Sequence, residues 1–131
     1  MQIKNNELVL VGNFLNSLTL PAKVSRARTK LVKTLQERLT EYNDARQEII
    51  KDHNGDINEK TGVVTFPDKE KDAANSEVYD LDNETPIIQA AYNEQFSTLK
   101  AYFEDWDGEV SAENANAYDV LFDALEVDNK E

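Results

Sequence analysis

The sequence predicts a mainly α fold: a short N-terminal helix, one long helix, a small β-hairpin insertion, and two further C-terminal helices packed as a helical hairpin or bundle. Three observations predict it. From residue 22 to about residue 53 no Gly or Pro interrupts, and apolar residues recur at three and four throughout. All four glycines and all three prolines lie outside that stretch, where they punctuate. Two further stretches near the C-terminus repeat the same spacing, and 131 residues suit a single α-rich domain, residues 1–131, with a modest core.

The first element is a helix over residues 6–17, with Leu8, Val11, Leu15 and Leu18 recurring beside Val9, Leu10 and Phe14. It is apolar on more than one side, which predicts burial between other helices or against a partner. "TLPA" breaks it. Pro21 suits the first turn of a new helix, with Thr19 or Leu20 as the boundary.

In the long helix the stripe is Val24, Ala27, Leu31, Leu35, Leu39, Tyr42, Ala45 and Ile49. At ~1.5 Å per residue it runs to roughly 45 Å, longer than a compact domain of this size buries along its whole length. Part of its surface is therefore expected to face a neighbour or another subunit. Heptad regularity is imperfect, which favours a bundle over an extended coiled coil.

"HNGDINEKTGVVTFPD" reads as a β-hairpin or flap inserted at residues 52–67. Asn54-Gly55 is a stop, Lys60-Thr61-Gly62 a turn, and Val63 to Phe66 are β-formers closed by Pro67. The charged run that follows predicts a short helix over residues 68–79 or an ordered loop. Pro86 then opens a second amphipathic helix, residues 86–106, on Ile88, Ala91, Tyr92, Phe96, Leu99, Tyr102, Phe103 and Trp106, and a short strand at 85–89 can precede it. Gly108 ends that helix. Ser111 stands at an N-cap position ahead of a last apolar face, Ala115, Tyr118, Leu121, Phe122 and Leu125, and the tail "VDNKE" is expected to fray.

Charge is divided unevenly. Formal net charge is -12, yet residues 1–51 hold nine basic against five acidic side chains and the remainder holds five against twenty-one. The basic excess concentrates in "KVSRARTKLVK", residues 23–33. On a helical wheel Lys23, Arg26, Lys30 and Lys33 share an arc of about 80°, well away from the apolar stripe. They predict an outward basic face, either solvated or paired with acid from this chain or another copy. The acid surplus argues against nucleic acid as its partner. Arg28, Arg38 and Arg46 point instead toward the apolar side or its rim, where a guanidinium either snorkels to the edge or needs a carboxylate partner. Glu104, Glu113, Asp119 and Asp123 are the candidates, as salt bridges that would fix the register of the later helices.

The chemistry of sites is sparse. Without cysteine there is no thiol nucleophile, disulfide or Cys-based zinc site. One histidine, His53, falls at a predicted helix end, where an imidazolium is favoured by the C-terminal carbonyls and a structural role is expected. "DHNGDINE" superficially suggests a calcium loop, but Ile57 and Val63 stand where Gly and a bidentate Glu are required. "DLDNE" and "EDWDGE" are carboxylate clusters that twenty-six acidic residues produce by composition. No phosphate-binding glycine motif occurs. These readings argue against an enzyme and against a cofactor, metal or small-molecule substrate. No stretch is apolar enough for a membrane span, and the N-terminus lacks the pattern of a secretory signal, so synthesis in the cytoplasm is expected.

"NNELVLVGNFLNSLTLPAKVSRARTKLVKTLQERLTEYNDARQEIIKDH", a hairpin-like insertion and a closing "NAYDVLFDALE" together resemble a family of small proteins of tailed bacteriophages and prophages of Gram-positive bacteria. The resemblance is one of pattern and transfers no residue role. It implies a phage product made in the host cytoplasm, with the virion as a further destination, encoded near virion morphogenesis genes. With the α-rich reading, it suggests a structural or assembly accessory protein that binds another phage protein, or itself, through the long helix and the N-terminal apolar helix. The alternative is a small acidic phage inhibitor that mimics DNA toward a host nuclease or defence protein.

Overall fold

A computed structural model describes residues 1–128; the end of the tail expected to fray lies outside them. Five helices and one hairpin follow in order: α1 (Leu8–Asn16), entered through a 3-10 turn at Asn5–Glu7; α2 (Ala22–Asp52); β1 (Asp56–Ile57) and β2 (Val64–Thr65); α3 (Lys71–Asp82); α4 (Gln95–Glu104); and α5 (Ala112–Asp128). The mainly α fold is the one the spacing predicts. Among the described residues, no helix is long and apolar enough to cross a membrane.

α1 packs against both α2 and α5, and so does α4, while α3 covers α2 and the 3-10 turn. This gives α1 its place. Leu8, Val11, Phe14 and Leu15 are buried and Leu10 is partly buried, because the helix is wedged between two others. Against it lie Val24, Ala27, Leu31, Val32 and Leu35 of α2, then Leu99 and Phe103 of α4 and Leu121 and Leu125 of α5. Phe14, Phe103, Trp106 and Tyr118 meet mostly edge to face at 5.4 to 6.2 Å between ring centroids, the geometry aromatic quadrupoles favour.

α2 begins at Ala22, with Pro21 in extended conformation just ahead of it instead of inside its first turn. It ends where the Asn-Gly pair predicts. Asn54 takes the left-handed conformation at φ 55°, its N–H donates to the Lys51 carbonyl, and the Gly55 N–H donates to the Ile50 carbonyl at 2.7 Å. That pairing satisfies two orphan carbonyls of the helix end. Gly55 is required for another reason: an added Cβ would sit 2.8 Å from the Phe66 ring and 2.9 Å from the Ile50 side chain. The hairpin thus folds tightly onto the helix end, its strands antiparallel with Asp56 opposite Thr65 and Ile57 opposite Val64.

One element departs from expectation. The helix predicted from Pro86 starts only at Gln95, after Glu94 at φ 74°. The intervening backbone is engaged elsewhere: the Ile88 N–H donates to the Met1 carbonyl at 2.7 Å, and Gln2 bridges Ile87 in antiparallel fashion. Ile88 is buried there without being helical. The Gln95 side chain then fixes the start of α4. It donates to the Ala27 carbonyl at 3.0 Å and accepts from the Ala91 N–H at 2.6 Å, so a fully buried amide is satisfied at both ends. Ser111 caps α5 as predicted, accepting from the Asn114 N–H at 3.2 Å.

Candidate functional site

The long helix offers three faces, set by its sequence. The apolar stripe is used up in the core over its first half and against α3 over its second. The outer face carries Lys23, Arg26, Lys30 and Lys33, all exposed. None of the four pairs with a carboxylate of a described residue within 4 Å. Arg26 alone has a fixed position, its guanidinium 4.5 Å from the centroid of the Tyr92 ring. Tyr92 belongs to the irregular segment before α4 and gives Arg26 a cation–π support. Periodicity places Tyr92 on a helix face and gives no hint of this partnership.

The remaining arginines differ from the expectation of salt bridges to the later helices. Arg28 donates through Nη1 to the carbonyls of Leu15 and Leu18, at 2.8 and 2.9 Å, and through Nη2 to Ser25 Oγ. Its partners are backbone oxygens at and just beyond the end of α1, where the Leu15 carbonyl has only a long 3.4 Å contact from the Leu18 N–H and where a cation is favoured. Arg38 pairs within its own helix, Nη1 reaching both oxygens of Glu41 at 2.9 and 2.8 Å. Arg46 is exposed on the flank of Tyr42. Glu104, Glu113, Asp119 and Asp123 are all exposed. The register of α4 and α5 therefore comes from apolar packing, from Gln95, and from the Tyr118 hydroxyl, which donates to the Phe103 carbonyl at 2.8 Å.

Two polar contacts tie α3 to α2. Tyr42 donates its hydroxyl to Asp82, and the phenol is pushed up to about 12 by burial first and by that carboxylate second. Toward the other end, His53 stands between two carboxylates of the α3 region. Nδ1 lies 2.5 Å from Glu70 Oε2 and Nε2 lies 2.6 Å from Glu77 Oε2. Carboxylates only accept, so the two contacts favour the doubly protonated ring, an imidazolium with an N–H toward each glutamate. Both contacts raise its pKa above the ordinary histidine value, Glu70 contributing first. The role is structural in geometry: the ring joins the end of α2 to α3 beneath the hairpin.

Among the described residues, no three His, Asp or Glu side chains gather as a metal site. The hollow at the junction of the 3-10 turn, α2 and α3 has about 230 Å³ and is lined by Asn5, Arg38, Glu41, Tyr42 and Glu84 among others. Within it Arg38 pairs with Glu41 and Tyr42 donates to Asp82, while Arg38 Nε is buried without a hydrogen-bond partner. No family model, curated protein or solved structure matches this chain.

Proposed function

We propose that this chain is a non-enzymatic structural or assembly accessory protein of a tailed phage, working by protein–protein contact through its helical surfaces. One observation carries the reading. Four basic side chains stand on one exposed face of a helix whose opposite side is locked in the core, and they are left without carboxylate partners in a chain rich in carboxylates. A rigid helix with unneutralised charge is a preorganised surface for an acidic partner protein, since little conformational freedom is lost on binding. The sequence resemblance to phage proteins supplies the setting.

A second reading has its own support. Glu104, Asp105, Asp107, Glu109 and Glu113 are exposed along the turn from α4 into α5, and Asp119, Asp123 and Glu126 are exposed on α5 itself. Such a run of carboxylates could imitate a DNA backbone toward a host nuclease or defence protein.

The test is a tagged pull-down from phage-infected cells at low and at moderate salt, with a Lys23, Arg26, Lys30 and Lys33 to Glu variant beside the wild type. The assembly reading expects head or tail components that the variant loses. Recovery of a host nuclease by both proteins would replace it with the acidic mimic.

A further inference from the structure

A different face of the molecule is poor in charge. Some 31% of the residues are charged, yet residues 8–22 contain none. α1 turns Val9, Gly12, Asn13 and Asn16 outward, at the spacing of one helical face, and Val9 is 50% exposed. Beside it, α2 presents Thr29, Gln36, Thr40 and Asn43, all exposed and uncharged, with Lys33, four residues after Thr29 and three before Gln36, at their outer edge. Between the helices runs a groove of about 110 Å³ with Leu8, Val32, Leu35 and Leu39 in its walls. Gly12 opens it further, since the space around its absent side chain is empty to 4 Å.

We infer that this α1–α2 face is a self-association surface whose occupant is the same face of a second copy. It rests on the reading of the chain as an interaction module and narrows that reading to one face and one partner, apart from the basic face. Three features select a second copy. A twofold contact sets each residue near its own duplicate, where any charge would meet its like; an uncharged face avoids this on a molecule of net charge -12. A side-chain amide is both donor and acceptor, so Asn13, Asn16 and Gln36 can bond to the same residues across the axis. Finally, the knob and the hole adjoin: Val9 of each copy can enter the groove beside Gly12 of the other. An acidic or basic partner would call for complementary charge, which this face lacks. Depletion of charge is also the mark of an interface centre.

Sedimentation velocity on the purified full chain, over a concentration series at low and high NaCl, tests this. The expected result is a monomer–dimer equilibrium that tightens as salt rises, because screening relieves the repulsion between acidic copies and there is no interfacial ion pair to weaken. Asn13→Asp and Val9→Glu each place like charges across the axis and are expected to weaken the dimer about tenfold or more. Asn75→Asp adds the same charge on α3 and leaves it unchanged. Circular dichroism of the variants separates loss of dimer from loss of fold. A monomer under every condition overturns the inference, as does a dimer that dissolves in salt or ignores Asn13→Asp. Neither outcome touches the basic face, whose own test is the pull-down.

Discussion

Arg28 of the long helix holds the end of α1 by donating to the Leu15 carbonyl, 2.8 Å away. The same nitrogen reaches Leu18, so one side chain ties the turn between the two helices to the second of them. The guanidinium is partly buried, and its loss would take a donor from the Leu18 carbonyl and leave the Leu15 carbonyl with only the 3.4 Å contact from the Leu18 N–H. Arg28→Met is therefore expected to destabilise the fold by about 1 to 2 kcal/mol, since hydrogen bonds from charged groups exceed the usual ~1 kcal/mol. Arg38→Met, which removes only a pair with an exposed glutamate three residues away, should change stability by less than about 0.5 kcal/mol. Urea denaturation of both variants checks the contrast; equal losses would refute it.

This contrast also shows what the sequence could reveal. A carboxylate is visible in a sequence and invites pairing with an arginine. A free carbonyl is not, because every residue has one and only the fold decides which are orphaned. The same blindness explains α4. Ile88, Ala91 and Tyr92 have helical spacing, but their backbone is claimed by Met1 and by the Gln95 side chain, contacts that local periodicity cannot register. By contrast, the long helix, the hairpin and the Ser111 cap were legible because their causes are local: uninterrupted spacing, an Asn-Gly stop, and a hydroxyl at a helix start. The outward basic face was legible from the same wheel. The uncharged face beside it needed the position of α1.

Gly55 gives a second prediction, set by space. Gly55→Ala would press a methyl group into the Phe66 ring and the Ile50 side chain at under 3 Å. Overpacking of this kind typically costs ~1 to 3 kcal/mol. The strain falls at the joint between α2 and the hairpin, so the loss is expected with little change in the α1, α4 and α5 core. Amide hydrogen exchange should show faster exchange at Asn58 and Gly62, whose N–H groups donate to the Val63 and Asn58 carbonyls of the hairpin, while the core amides of Leu31 and Leu121 keep their protection. A uniform rise in exchange would mean that the hairpin is part of the same cooperative unit.

His53 makes the hairpin end of the molecule sensitive to pH, and the direction follows from its contacts. Its pKa is raised in the fold by Glu70 and then Glu77. A group with a raised folded pKa contributes its full stabilisation below its unfolded value, ~6.5 for histidine, and loses it as pH rises through the folded value. The contacts joining α2 to α3 should therefore weaken as pH rises through that raised value, once a ring nitrogen loses the proton it donates. In a two-dimensional NMR titration the His53 ring should titrate above the ordinary histidine value, and Glu70→Gln should bring that midpoint down. His53→Gln should remove the pH dependence of stability across this window, because a neutral amide cannot titrate there. An ordinary midpoint in the wild type would mean that the two carboxylates do not hold the ring in solution.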